Sequence, residues 1–476
     1  MDQGRPLVNL LELTYEELEE LNLQAREVKD PDEAKDQYVS YLESQEGIKN
    51  VTVCFTDLEG RFHTIDYNKK FILHSLNNLT FDGSSIRGFS AQNDSDLKLV
   101  LDWTSITFLP SDVFGAGKVL VFANVFSRDL SSYESDFRNL LFEYADKLKR
   151  ESQVEAFMAT ELEGYLVEGL DAEKHYVSAS GFDFVAHGGY YHSLPTDSVR
   201  EFIDRVTLAL EAMGFRNEKA HPEVGPSQFE IDYSYTDVVR ACDQVQLYKL
   251  LCRQVACDMG MTCTFLPKPI VGVNGNGMHT NFSLAKNGKN SFYDKNGKDR
   301  LSKDGWQFTY NFLDKASELC LIYNSSVNAY RRLDPHFEAP NEIKVTANDR
   351  GSLVRLPFGN EKTTRIEIRA VSPDTNPYLA LYAIMRTGLE NKVPVPRTTP
   401  QGPTKLLPST INEAVEIFER SAFITGIIGE NNKAKFLELK KTVAERSSSS
   451  LAEGRVDDSE VLYHHEITNQ FLWNQM

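Results

Sequence analysis

The chain has no run of about 18 apolar residues, the length a membrane-spanning helix requires, so the sequence predicts no membrane span. It lacks a basic start leading into an apolar run, so no signal peptide is expected and a cytoplasmic location is predicted. Positive charge is also short. Lys and Arg total 51 against 69 Asp and Glu, a formal net charge of −18. Such a balance speaks against a phosphate backbone or an anionic membrane as partner. The six cysteines, at 54, 242, 252, 257, 263 and 320, form no CxxC pair. A zinc finger is therefore not expected, and free, mostly buried thiols are. The pattern GxxxxGK[ST] is missing, which removes the P-loop, and no internal repeat is present. What remains is an ordinary globular composition over 476 residues, enough for two to four domains of about 100–200 residues each.

Residues 1–34 read as an acidic N-terminal extension with helical Leu/Glu spacing from Leu13 to Leu21, and KDQYVSYLESQ as a further short helix. Residues 35–130 read as a small β-rich domain. NVTVCFTDLEGRFHTID supplies two strands turning at Glu59–Gly60, and GKVLVFANVF another. Residues 131–476 read as a larger α+β domain with a helical tail. Its amphipathic helices include SDFRNLLFEYADKLKRES and SVREFIDRVTLALEAMG, the second capped at Gly214, and its strands EAFMATELEGYLVE and TRIEIRAVS. Residues 391–412 read as a long surface loop, and SSSS at 447–450 interrupts the tail.

Four segments carry candidate chemistry. Glu161 and Glu163 stand two apart in a strand and so share a face. Taken alone this is either a solvated face or a pair that needs a cation, because apolar sequence surrounds it. In HPEVGPSQFE, the turn at Gly225–Pro226 is able to bring Glu223 and Glu230 onto neighbouring strands, as a charged hairpin or as ligands. In GVNGNGMH, three glycines let the backbone approach a ligand closely ahead of His279, itself a ligand or a hydrogen-bonded structural residue. In RIEIR, Ile366 and Ile368 face a core while Arg365, Glu367 and Arg369 share the other face, as an anion site beside a metal or as an ion-pair ladder. Arg332, Arg350 and Arg355 lie upstream. Five carboxylates with one imidazole favour Mg²⁺ or Mn²⁺ over zinc, and arginines beside such ions point to phosphoryl transfer.

With these residues in view, the chain resembles type I (bacterial-type) glutamine synthetase over residues 35–476. The motifs run in family order: FDGSSI at 81–86, TELE at 160–163, HPEVGPSQFEI at 221–231, TFLPKP at 264–269, GNGMHTNFSL at 275–284, YRRLDPHFEAP at 330–340, NDRGSLVRLP at 348–357, EKTTRIEIR at 361–369 and NPYLALYA at 376–383. Three departures accompany them: GNGMH replaces GSGMH, Asn281 stands where a second His is common, and DPHFEAP replaces VPGYEAP.

The resemblance implies an α+β fold, a small N-terminal β-grasp domain followed by the large catalytic domain. It implies two or more divalent cations, Mg²⁺ or Mn²⁺, per site. Glu163, Glu223 and Glu230 match the ligands of one, and Glu161, His279 and Glu367 those of the other. Asn274, Gly275, Arg332 and Arg369 would hold glutamate, and Arg350 and Arg355 would stabilise the phosphoryl group in transfer. Tyr235, Ser283, Lys362 and Arg365 would line the ATP site. Asp82, Asp96 and Tyr190 would form the ammonium pocket, and Glu338 the flap over the intermediate. The implied reaction joins ammonium to the γ-carboxylate of glutamate through a γ-glutamyl phosphate. The implied assembly is a dodecamer of two hexameric rings, with Asp82 donated by the neighbouring subunit, FLWNQM docking on the opposite ring, and room for a regulatory protein. Two other readings stay open, a glutamate–amine ligase and a non-catalytic structural relative. The presence of Asp82, Asp96, Tyr190 and every metal-matching residue speaks for the ammonium ligase.

Overall fold

Short polar residues set the first elements. Thr14 caps helix Tyr15–Glu27: its hydroxyl accepts from the Glu17 amide at 3.3 Å while the Glu17 carboxylate takes the Thr14 amide at 2.9 Å. Asp30 caps helix Pro31–Ser44, which has proline in its first turn. The extension is thus two helices. The second runs through residue 34, so extension and small domain share a continuous element. This is a computed structural model of the chain, and it describes residues 13–170, 172, 182–195, 197–270, 272–337, 339–396 and 403–445. FLWNQM and the SSSS segment lie outside the described residues.

The small domain is built on strands β1 (Asn50–Thr56), β2 (Phe62–Asn68), β3 (Leu79–Asp82), β4 (Asp96–Leu101), β5 (Thr107–Phe108) and β6 (Val119–Phe126). Their order is β2-β1-β6-β4-β3, with β5 also on β6 and only β1–β6 parallel. Val51, Val53 and Phe55 point into a core shared with Tyr38, Tyr41 and Leu42 of the second helix. The β1–β2 turn falls where the sequence put it. Gly60 has φ of +85°, and a Cβ there would stand 2.5 Å from Asn376 Cα, so glycine is required both by conformation and by the docking of this turn on the larger domain.

The larger domain holds β7 (Val154–Glu168), β8 (Asn217–Pro222), β9 (Gln228–Tyr233), β10 (Thr236–Asp237), β11 (Met261–Thr264), β12 (Met278–Lys286), β13 (Lys289–Asn290), β14 (Glu342–Thr346), β15 (Ser352–Arg355) and β16 (Ile366–Ile368). The order is β14-β15-β16-β12-β7-β9-β8; β10 and β11 pair with β7, and β13 with β12. Met158, Leu162, Phe229, Ile231, Phe282, Ile366 and Ile368 send their side chains into one core with helices Phe137–Ser152, Ser198–Ala212, Val238–Asp258 and Pro377–Glu390. Because strand side chains alternate, the charged residues between them must emerge together on the opposite face.

Most expected elements appear at their expected places, including the end of helix Ser198–Ala212, where Gly214 adopts φ of +76°. The loop from 391 stops earlier than the composition indicates. Thr410 caps helix Ile411–Arg420 by accepting from the Glu413 amide at 3.2 Å, so residues 411 and 412 are helical. Five thiols are buried and Cys257 is exposed, with no disulfide. Among the described residues no helix is long and apolar enough to cross a membrane.

One buried cation ties the domains together. Arg138 is 1% exposed. It donates to both carboxylate oxygens of Asp243 at 2.9 and 2.7 Å, to Asp102 at 2.8 Å and to Asn124 at 2.6 Å, and lies 5.1 Å from the Phe122 ring centroid. Tyr378 donates to Asp243 at 2.6 Å. Asp102, Phe122 and Asn124 belong to the small domain, Asp243 and Tyr378 to the larger. Removing one partner of a buried ion pair costs about 3–5 kcal/mol because the other charges stay buried. Arg138→Ala is therefore expected to lower the unfolding free energy by an amount in that range, read as a lower urea midpoint. An unchanged midpoint would refute the role given to this network.

Candidate active site

The register of the larger sheet lines up the charged residues. His279 on β12 stands opposite Glu161 on β7, Glu163 on β7 opposite Glu230 on β9, and His221 on β8 opposite the same Glu230. On the other side, Glu367 on β16 stands opposite Asn281 on β12 and Arg355 on β15. Residues from Glu161 to Glu367 in the chain thus become cross-strand neighbours on one face.

Of these, Glu161, Glu163, Glu230, His279 and Arg355 border a cavity of about 340 Å³. Glu161, Glu163, Glu223 and Glu230 form one wall with His279, and Arg332, Arg350, Arg355, Arg365 and Arg369 another. Asn274, Gly275 and Tyr190 also line it. The glycine-rich loop is clamped from several directions. Tyr165 donates to the Asn274 carbonyl at 2.6 Å, and Gln228 donates to the Gly275 carbonyl at 3.0 Å and to Asn276 at 2.9 Å. A Cβ on Gly275 would stand 2.4 Å from the Pro267 carbonyl oxygen, so only glycine lets this loop pass between Pro267 and Arg332.

The acidic wall carries a steep electrostatic load. Burial, reinforced by Glu230 and Glu223, pushes the Glu163 carboxyl well above the usual range, against the pull of Arg332. Burial and Glu230 likewise raise Glu223. For Glu230, burial acts upward but the His221 hydrogen bond and Lys219 prevail, and its pKa falls. For Glu161, the His279 and Asn281 contacts outweigh burial, and its pKa falls too. Burial, then Arg369, lowers His279. Behind this wall Asp232 is raised to about 8 by burial and by Glu230. The protein thus accommodates clustered carboxylates partly by favouring the protonated form of Glu163 and Glu223 and partly by drawing in His221 and Lys219.

The donor atoms fit hard divalent cations. Glu161, Glu230 and His279 each offer one ligand atom within 4.8 Å of the others, and so do His221, Glu223 and Glu230. His279 Nδ1 is 3.3 Å from Glu161, and His221 lies 3.4 Å from Glu230 and 3.6 Å from Glu223. Glu163 sits between the two groups and accepts the Gly277 amide at 2.7 Å. Glu367 is fully buried beneath the arginine wall, where it ion-pairs with Arg355 and, at 2.5 Å, with Arg369. His221 and Lys219 were not singled out as site residues from sequence. The spacing of His221 to Glu223 was the available signal, since residues two apart share a strand face.

Other expected residues lie away from the cavity, Tyr190 excepted. Asp82 and Asp96 face each other across β3–β4 in the small domain, and neither lines the cavity. Hydrogen bonds from Ser84 and Ser85 hold Asp82 below the usual carboxylate range. Tyr235 is exposed and packs edge-on to Phe157 at 5.7 Å, with Ser283 opposite Phe157 across β12–β7. Lys362 is exposed in the turn before Arg365. Tyr190 is half-exposed, and its hydroxyl donates to that of Tyr191 at 2.7 Å. Glu338 lies outside the described residues.

Two family models cover this arrangement: the glutamine synthetase catalytic domain matches residues 134–457, and the glutamine synthetase beta-grasp domain residues 47–128. The chain belongs to the glutamine synthetase family. Among curated relatives, glutamine synthetase of Staphylococcus epidermidis is 34% identical over 413 residues, covering 83% of this chain and 91% of the relative. That of Thermotoga maritima is 34% identical over 412 residues, covering 83% and 92%. Among solved structures, Plasmodium falciparum glutamine synthetase superposes with a TM-score of 0.75 at 22% identity, covering 87% of this chain and 96% of that one. A GmaS/ADP complex superposes with a TM-score of 0.74 at 23% identity, covering 85% and 95%. These two likenesses speak to the fold: a β-grasp domain followed by the large catalytic domain of the glutamine synthetase family.

The site of this family member makes a prediction about protons. Burial and the neighbouring Glu230 and Glu223 favour the protonated form of Glu163 in metal-free protein, and a divalent cation that takes this carboxylate as a ligand must displace that proton. Titrating Mg²⁺ or Mn²⁺ into metal-free protein is expected to release protons, with affinity rising as pH rises. Calorimetry in buffers of different ionisation enthalpy reads the release, and Glu163→Gln should diminish it. Buffer-independent heats in the unaltered protein would overturn this assignment of charge.

Proposed function

We propose that this family ligase joins ammonium to the γ-carboxylate of L-glutamate at the expense of ATP, giving L-glutamine, ADP and phosphate. The observation that carries the reading is the cavity itself, where a carboxylate–imidazole wall meets an arginine wall over a glycine-rich loop. Acidic residues suited to hard cations, set against guanidinium groups, are what phosphoryl transfer asks of a protein. Glu161, Glu163, Glu223, Glu230, His279 and Glu367 would hold two divalent cations, with His221 close by. When bound, these neutralise charge on the ATP phosphates.

The chain's own groups divide the remaining work. Arg332 and Arg369 hold the glutamate carboxylate beside Asn274 and Gly275. Burial brings Arg332 down to about 10, so it is still charged at neutral pH, and its Nη2 donates to the Arg369 backbone carbonyl at 2.9 Å, which fixes the Arg332 guanidinium against that strand. Arg365 donates to Asn281 at 2.7 Å, fixing its guanidinium at the nucleotide end with Lys362, Ser283 and Tyr235. A γ-carboxylate oxygen of glutamate attacks the terminal phosphorus of ATP and ADP leaves, with Arg350 and Arg355 offsetting the developing charge. Asp82 takes a proton from ammonium beside Asp96 and Tyr190. The ammonia attacks the acyl carbon, phosphate departs, and Glu338 belongs to the segment that shields the intermediate. ADP release with ammonium, measured against a panel of organic amines, tests the reading. A strong preference for ammonium is expected. Preference for an organic amine would replace it with a glutamate–amine ligase, and no turnover with any acceptor with a non-catalytic relative.

Asp82 and Asp96 lie off the cavity of their own chain, which supports a site completed by the neighbour in a homo-oligomeric ring, here a dodecamer. A positioned base contributes about 10²–10⁴-fold, so Asp82→Ala should be slow while still binding ATP. Co-assembly of Asp82→Ala with Glu163→Ala subunits should restore about a quarter of sites, half times half, by random mixing around a ring. Mixed rings confirmed by mass but without recovered activity would place both groups on one chain.

A further inference from the structure

The motif TFLPKP contributes Lys268, which the reaction above does not use. Its side chain is almost wholly buried, at 6% exposure. Its backbone is fixed on both sides by Asn328, which accepts the Lys268 amide at 2.6 Å and donates to its carbonyl at 3.0 Å. The side chain then makes two contacts with segments that border the cavity. Nζ donates to the carbonyl of Val273 in the glycine-rich loop, and it sits 3.7 Å from the centroid of the Phe337 ring. Phe337 lines the cavity, as do Asn274 and Gly275.

Among the described residues, one carboxylate acts on this ammonium. Asp334, the carboxylate that acts on it, is engaged by the His336 amide at 3.0 Å and by the His336 ring at 2.7 Å. Burial lowers the lysine to about 8, with Arg332 adding repulsion and Asp334 opposing, so the charge is still largely present at neutral pH. A desolvated ammonium over an aromatic face attracts it more strongly than an exposed one. Pro267, the preceding residue, accepts the Asn276 amide at 2.7 Å, so one dipeptide supports the loop by backbone and by side chain.

We propose that Lys268 is a positioning residue: its ammonium joins the glycine-rich loop to the Asp334–Phe337 segment through Val273 and the Phe337 ring, and so keeps that wall of the cavity closed to water during turnover. The proposal rests on the functional reading above. An acyl phosphate open to water is lost to hydrolysis. The water oxygen attacks the acyl carbon, the bond to the phosphate oxygen breaks, and glutamate and phosphate return with one ATP spent and no amide formed.

The test compares Lys268→Met, Phe337→Leu, the double variant and Lys268→Arg in the full-length protein. Two quantities are read: hydrogen exchange of peptides covering 272–277 and 334–337, and ADP released per amide formed. Lys268→Met and Phe337→Leu should each speed exchange in both peptides and raise the hydrolytic share of turnover about three- to tenfold. The double variant should be no worse than the worse single one. Lys268→Arg keeps the charge over the ring and should stay near the unaltered protein, which a merely space-filling role would not predict. Unchanged exchange and stoichiometry in Lys268→Met overturns the proposal. So does additivity in the double variant, or an arginine variant as leaky as the methionine one. If the unaltered protein forms no amide with any acceptor, the functional reading fails, while the exchange comparison still decides whether Lys268 couples the two segments.

Discussion

Crowding carboxylates onto one buried sheet face is the constraint around which this molecule is arranged. Glu161, Glu163 and Glu230 sit in adjoining register positions of β7 and β9, with Glu223 beside them. Mutual repulsion and lost hydration would drive such a group apart unless the backbone forbade it. Continuous pairing through β12, β7, β9 and β8 does forbid it, and the apolar reverse face, sealed by helices, keeps the sheet from turning over. The remaining polar features answer to that first decision. His221 and Lys219 lean on Glu230, the Glu163 carboxyl is pushed well above the usual range, and five arginines line the same cavity as the acids.

Glu367 shows how the opposite wall is organised. Fully buried, it is held between Arg355 and Arg369, so two guanidinium groups that would repel each other are kept in place by one shared anion. The glycine-rich loop is held with similar closeness from beneath, by Gln228, Tyr165 and the Pro267 carbonyl. The two walls and the loop between them are therefore pre-positioned by the chain alone, which is the condition for catalysis by orientation and charge.

Much of this could be read from residue order because strand parity is a local property. RIEIR and TELE each announce a charged face and an apolar one, and the buried Ile366, Ile368 and Leu162 confirm those faces. The β1–β2 turn and the helix ending at Gly214 follow from equally local rules. Partners across strands do not. Nothing in HPEVGP reveals that His221 will stand opposite Glu230, because that depends on how β8 registers against β9. Nor does spacing show that Glu367 engages two arginines, one of them on β15. Asp82 is legible as a motif residue, yet its distance from the cavity is a matter of domain placement. The helix starting at Ile411 was hidden by the proline- and threonine-rich composition just before it, where Thr410 acts as a cap.

The helix Tyr15–Glu27, which precedes both matched family domains, ends up between them. The side chain of Asn22 donates to the carbonyls of Phe108 and Ala212 at 2.9 and 2.8 Å and accepts the Phe108 amide at 2.8 Å. Phe108 belongs to the small domain and Ala212 to a helix of the larger one. To swivel one domain against the other, the molecule would have to break either the two buried bonds of Asn22 to Phe108 or those of Asn22 to Ala212 and Arg26 to Met213. The helix therefore acts as a key set into both domains: rotation of the small domain against the catalytic sheet meets buried bonds on whichever side gives way.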